Sequence, residues 1–552
     1  MRRRFMRKWR LALVAILLLG CTFGMLFASG QKEPAGVQTT ESGKKILYVA
    51  YDRELDVLNP FTSQMLCDLQ HNVSEGLIIT NDKNEFIPVL AKEIPTFENG
   101  GVVKNADGTY DMTWHLQEGV LWHDGVEFTA EDVKFTLDFV HNTPAVYNQS
   151  EYNKIIKATI VDKYTIVFTW DDLYTFYPGI FEAMLPKHVL ENLSWDEIAR
   201  YEPYNRGPEF IGTGPFMFEE WKSGEYIRIV RNPNYWRGEQ YPLIDEMVWQ
   251  FIPDQTARFN AMKSGAYHIG QIEATQVKDF NVKGLHVEMI PSNVFYYVDL
   301  NVTPNGGRPE LFGDVRVRKA LYQAIDRKAI VDQLLEGTVE IANSPIPPTS
   351  GYHNPNISAP KYDPENAKKL LAEAGWKDTN GDGILDKNGV KFSFTFMNRS
   401  GRTDRIAIAQ VVQAQLKQIG IEVNMKEYEA AAWSERWRNS NWDAQVGGWF
   451  MSSDASLTNY YHTRDGKNGS NNFTGMGNAE LDKLMATADK TLDFDKRKAL
   501  LDKAQQIIAD EVVSLYLYYR DSPWVVSDSL TNFRGSGTNL GNWWNAWEWD
   551  LK

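Results

Sequence analysis

Cysteine is nearly absent: the 552 residues contain two, Cys21 and Cys67. That scarcity excludes a disulfide framework and thiolate metal clusters, and leaves stability to packing and ordinary polar contacts. Histidine is sparse too, with nine residues and no dense cluster, so His71 and His462 read as surface or hydrogen-bonded side chains rather than a nickel or haem site. No G-x-S-x-G elbow, HExxH helix or phosphate-binding loop occurs. Positive charge is in deficit, the formal net charge being −14, which argues against nucleic acid as a partner. Beyond Lys44 no apolar run approaches the length of a membrane span.

What is present begins with an export segment. Six of the first ten residues, MRRRFMRKWR, are basic, and Leu11–Gly20 (LALVAILLLG) is almost purely apolar. Basic, then apolar, then small is the order of a secretory signal. Leu18-Leu19-Gly20-Cys21 resembles the lipobox of bacterial lipoproteins, so residues 1–20 are expected to be a cleaved leader and Cys21 a lipidated anchor. Cleavage near Ala28-Ser29, which would release a soluble form, stays open. Residues 21–43 contain SGQKEPAGVQTTES and read as a flexible tether.

The roughly 510 residues that follow are too many for one core. Tyr110–Leu116 and Thr165–Trp170 alternate with period two, as half-buried strands do. Thr129 followed by Asp132 reads as a capped helix start. Val294–Val302 reads as a strongly apolar strand. Beyond it, helical patterns (314–335, 364–374, 405–419) interleave with strands (390–397, 421–425), and 495–508 is helical before a return segment. Helix followed by strand, repeated, predicts an α/β architecture of two lobes. The expected division is 44–299 for lobe I, 300–509 for lobe II and 510–552 for a C-terminal return to lobe I, with hinge strands near Asn301 and Ile508.

Several blocks carry a family resemblance. Trp114-His115-Leu116-Gln117-Glu118-Gly119 runs on to Trp122-His123-Asp124-Gly125 and Phe128-Thr129-Ala130-Glu131-Asp132-Val133. Gly212-Thr213-Gly214-Pro215-Phe216, Arg231-Asn232-Pro233-Asn234-Tyr235-Trp236, Asp314–Asp326 and Leu370–Trp376 follow in register. Together they resemble family 5 of the bacterial extracellular solute-binding proteins, the oligopeptide-, dipeptide- and nickel-binding receptors of ABC importers. The resemblance implies a two-lobed periplasmic-binding-protein-like fold of the cluster C type, with an extra subdomain on the first lobe. It implies a monomeric receptor at the membrane surface or in the periplasm, delivering its ligand to two permease subunits and two ATPase subunits. It also implies no required cofactor and no catalysis.

In the peptide-binding members, an aspartate three positions after a second-lobe tryptophan holds the peptide ammonium. Here Trp449-Phe450-Met451-Ser452-Ser453-Asp454 puts Ser452 at that position and an acid two residues on. Trp449, Phe450, Ser452, Asp454 and Trp442 are the expected ligand contacts. Tryptophans at 433, 437, 442, 449, 543, 544, 547 and 549 keep an oligosaccharide ligand open beside a peptide, since indoles stack on sugar rings. A secreted hydrolase with two aimed carboxylates is the remote alternative. Asp378, Asn380, Asp382, Ile384 and Asp386 follow the spacing of a calcium loop, with Gly389 where its last carboxylate belongs. Structural calcium and a plain polar turn are its two readings.

Overall fold

Short polar side chains fix several element ends in the structure, a computed structural model that describes residues 43–552 except 64–67, 147–148, 304–309, 466–468, 470, 513 and 539–540. The leader, Cys21 and Cys67 lie outside the described residues. Thr129 caps the helix Ala130–Asn142, and the Asp132 carboxylate accepts the Thr129 amide at 2.9 Å, completing the expected box. Helical pattern over 314–335 resolves into two helices, Val315–Ala324 and Arg327–Leu334. The break comes at Asp326, whose carboxylate accepts the Ala329 amide at 2.9 Å and so starts a second helix.

One ten-stranded sheet runs through the molecule. Its order from one edge is Glu422–Tyr428, Ser393–Arg399, Ala444–Phe450, Leu285–Leu300, Ser514–Ser527, Ile269–Gln271, Ile46–Tyr51, Glu246–Phe251, Tyr226–Arg231 and Phe216–Lys222. The two central strands are the longest among the described residues, at 16 and 14 residues, and both pass between the two lobes. Leu285–Pro291 pairs with Asp521–Ser527 in the first lobe, and Phe295–Asp299 with Ser514–Tyr519 in the second. Between Pro291 and Phe295 the ladder slips register, at a proline that has no amide to donate.

The crossing therefore lies several residues before Asn301. Ile508, expected near a hinge strand, instead sits in the helix Phe494–Glu511 and is buried in the second lobe. The strand pattern is weak before residue 294 because polar His286, Glu288 and Ser292 alternate with the apolar positions.

Leu47, Trp114, Phe168 and Trp249 belong to the first lobe's core, and Val298, Leu321, Phe396 and Leu517 to a core of the second. A separate antiparallel sheet of Val102–Lys104, Tyr110–His115, Thr165–Trp170 and Ile155–Asp162 packs Met112, Trp114, Ile166 and Phe168 into the first core. It is the extra subdomain.

The signature blocks are scaffold. His123 accepts the Gly212 amide at Nδ1 (3.1 Å) and donates from Nε2 to the Gly214 carbonyl (3.0 Å). Burial pushes its pKa down to about 4, so the ring is neutral. Gly212 itself lies against the helix Asp68–Val73: a Cβ there would meet the Val73 carbonyl oxygen at 1.8 Å. Gly212→Ala is expected to destabilise the protein by about 1–3 kcal/mol or more through overpacking against immovable backbone. An unchanged thermal unfolding midpoint would contradict this.

Candidate ligand-binding cleft

Ala444–Phe450 carries the expected ligand-facing segment to the boundary between the lobes. Its inner residues Ala444–Gly447 are buried, whereas Gly448, Trp449 and Phe450 are partly exposed. Gly447 is small because Tyr297 of the neighbouring strand packs across it; a Cβ would stand 2.3 Å from that ring. The strand end opens onto a cavity of ≈ 610 Å³, within the range of roughly 300–1,000 Å³ usual for small-ligand sites.

One wall comes from the second lobe, with Gly448, Trp449, Phe450, Ser452 and Tyr460; the other comes from the first, with Phe61, Ser63, Glu151, Phe176 and Glu182. Trp449 meets the Tyr460 ring edge-on at 4.6 Å. His71 also borders this cavity. Burial pushes its pKa down to about 4, and its Nδ1 has no hydrogen-bond partner.

The lobes touch directly beside this cavity. Asn84 and Asn293 exchange amide hydrogen bonds at 2.9 and 2.8 Å. The Thr175 amide donates to the Asp489 carbonyl at 3.1 Å, and Asp172 of the first lobe pairs with Lys490 of the second. A second cavity of ≈ 420 Å³ lies at this contact, lined in part by Asn84, Thr175, Asp454 and Arg497.

The two-lobed fold is shared with known proteins. The model for "Bacterial extracellular solute-binding proteins, family 5 Middle" matches residues 85–472. The chain belongs to this family. It is 33% identical to the oligopeptide-binding protein AppA of Bacillus subtilis over 97% of both chains. The solved structure of that protein, in complex with a nonapeptide, superposes with a TM-score of 0.71 at 31% identity, covering 92% of this chain and 99% of the other. NikZ of Campylobacter jejuni, solved with Ni(L-His), gives a TM-score of 0.73 at 25% identity over 92% and 99%. The heme-binding protein A of Haemophilus influenzae is 27% identical over 76% of each chain. Family membership fits a periplasmic or cell-surface location, and no helix among the described residues is long and apolar enough to cross a membrane.

In this family 5 protein, the expected contacts separate. Trp449, Phe450 and Ser452 line the larger cavity. Asp454 does not: it is buried, receives Ser452 Oγ at 2.6 Å and Thr175 Oγ1 at 3.3 Å, and pairs with buried Arg497 at 3.4 Å. Its charge is already matched. Trp442 is buried with Met397 and Phe473, away from the cavity, and its Nε1 donates to the Trp437 carbonyl at 3.3 Å. Trp543 and Trp549 pack in the first core, while Trp544 and Trp547 line a small cavity beside Arg237. Of the tryptophan set, Trp449 alone faces the large cavity among the described residues.

The 378–389 loop spends its oxygens on itself. Asp378 accepts the Gly381 and Gly383 amides at 2.7 and 3.0 Å, and Asn380 accepts the Asp382 amide at 2.9 Å. Asp382 accepts the Ile384 amide at 2.9 Å and pairs with Lys391. Asp386 is turned inward, taking the Thr379 amide at 3.0 Å and hydroxyl at 2.7 Å. This is a hydrogen-bonded turn closed by an ammonium. No group of three or more His, Cys, Asp or Glu placed to hold a metal occurs among the described residues.

Glu151 and Glu182 were not among the expected site residues. Glu182 carries a signal in retrospect, being the single acid in the apolar run Gly179–Leu185. Glu151 has none.

Proposed function

We propose that this protein is the peptide receptor of an ABC importer, capturing its ligand without chemistry and presenting it to two permease and two ATPase subunits. The observation that carries this reading is the interlobe cavity, walled by segments 60–63 and 448–452 and holding a single tryptophan, in a chain 33% identical to an oligopeptide-binding protein. Only a closed arrangement offers a ligand both walls at once, so binding favours closure. Cys21 is the lipidated anchor in this reading, residues 21–43 the tether, and the receptor acts as a monomer. The first lobe is 44–291 with 521–552 and the second 295–519, the two central strands crossing between them.

An oligosaccharide is disfavoured because the other tryptophans lie in cores or elsewhere. Calorimetry of protein refolded free of carried-over ligand, against short peptides and β-linked oligosaccharides, tests the choice. Submicromolar peptide binding is expected. Saccharide binding with no peptide response would overturn the reading.

A further inference from the structure

The large cavity has an unbalanced interior. Glu151, at the end of the first lobe's short helix Gln149–Tyr152, and Glu182 both line it. Neither carboxylate has a hydrogen bond or ion pair among the described residues. No Lys or Arg is among the described lining residues.

The groups that could satisfy the pair are engaged elsewhere. Lys154, which favours the Glu151 charge, holds its ammonium over the Tyr174 ring at 4.7 Å. Arg497 is paired with Asp454, and Asp454 adds its negative field to that of Glu151. The Tyr152 hydroxyl donates to the Ile180 carbonyl. His71 places a buried Nδ1 with no hydrogen-bond partner among the described residues on the same cavity. Two carboxylates and a buried imidazole nitrogen thus line the cavity with no Lys or Arg among the described lining residues.

An unpaired carboxylate withdrawn from bulk water is satisfied either by a proton or by a cation. We propose that Glu151 and Glu182 are the specificity residues for a cationic nitrogen of the ligand, either its α-ammonium or a Lys or Arg side chain. This rests on the peptide reading and assigns the charge-recognition role to the first lobe, where the second lobe has Ser452 and a neutralised Asp454.

The proton side supports it. Burial, with Asp454 second, raises Glu151 to about 7; burial, with Glu151 second, raises Glu182 to about 8. Both acids therefore hold protons over much of the neutral range, and a bound cation displaces them. Affinity for a cationic ligand rises with pH through this window, and binding releases protons.

Calorimetry on the wild type, Glu151→Gln, Glu182→Gln and the double variant, using three peptides of equal length, tests this. One has a free α-amine and neutral side chains, one is N-acetylated with an internal lysine, and one is N-acetylated and uncharged. The uncharged peptide is expected to bind at least tenfold more weakly than the better cationic peptide, and that peptide identifies the source of the nitrogen. The double variant should remove the preference, together with the proton release seen when buffers of different ionisation enthalpy are compared. Thermal unfolding guards the fold: glutamine resembles the protonated acid, so the midpoint should hold or rise. Peptide binding with no charge preference, or a preference the double variant retains, overturns the proposal and leaves the peptide receptor standing. Absence of all peptide binding overturns both.

Discussion

Arg497→Met is expected to lower the unfolding free energy by about 3–5 kcal/mol, the usual cost of removing one partner from a buried ion pair. Arg497 and Asp454 are each 3% exposed at their side chains. The guanidinium also donates from Nε to the Ala488 carbonyl at 3.0 Å, lies 3.7 Å from Asp489, and packs over the Tyr352 ring. Without it, Asp454 and Asp489 face each other's charge with no cation between them. Asp489 is already raised by burial and then by Asp454, and losing the arginine pushes it up further.

The sign of the pH effect follows. An acid whose folded pKa exceeds its unfolded value binds more protons when folded, so stability grows as pH falls. The deficit of the variant should therefore shrink on acidification from neutral pH toward 5. Urea unfolding of wild type and variant at both pH values measures it. A deficit that is below 1 kcal/mol, or independent of pH, would show that this cluster does not carry a buried charge.

Trp449→Ala is expected to weaken ligand binding by roughly 30- to 100-fold, about 2–3 kcal/mol, the scale of an aromatic hot spot in a desolvated pocket. The indole forms part of the second-lobe wall, edge-on to Tyr460 and 6.0 Å from Trp437. Its loss removes apolar wall and lets water in. The fold should tolerate the change, because Trp449 is partly exposed and its backbone pairing with Phe295 needs no indole. Trp449→Phe should retain most of the affinity. Calorimetry with the best peptide, alongside thermal unfolding, separates binding from stability. Wild-type affinity in the alanine variant would mean that the ligand lies elsewhere.

Legibility in the sequence followed the range of the interaction. Thr129 and Asp132 satisfy amides within three residues of themselves, so their helix start could be read directly. The alternation of Tyr110–His115 and Thr165–Trp170 reports one buried face and was equally plain. The lobe crossing was not, because its apolar period is diluted by polar residues before Val294 and its position is set by pairing with Asp521–Ser527, more than 220 residues away.

The site divided in the same way. Trp449, Phe450 and Ser452 fell on the cavity because a strand end fixes them. Trp442 and Asp454 did not, since no local pattern tells that Phe473 will cover the one or that Arg497, 43 positions on, will neutralise the other. The calcium spacing left two readings open for a related reason: a row of Asp and Asn that can wrap a cation can equally satisfy its own amides, and Lys391 lies outside the pattern.

The two central strands have a mechanical consequence. They connect the lobes as paired, hydrogen-bonded ribbon rather than as loose tethers, so opening means flexing that ribbon where its ladder slips at Pro291. A ribbon yields readily across its face and resists bending in its own plane. Such a ribbon is expected to confine the lobes to one hinge-like path, which would bring Trp449 and Glu182 to a similar separation at each closure.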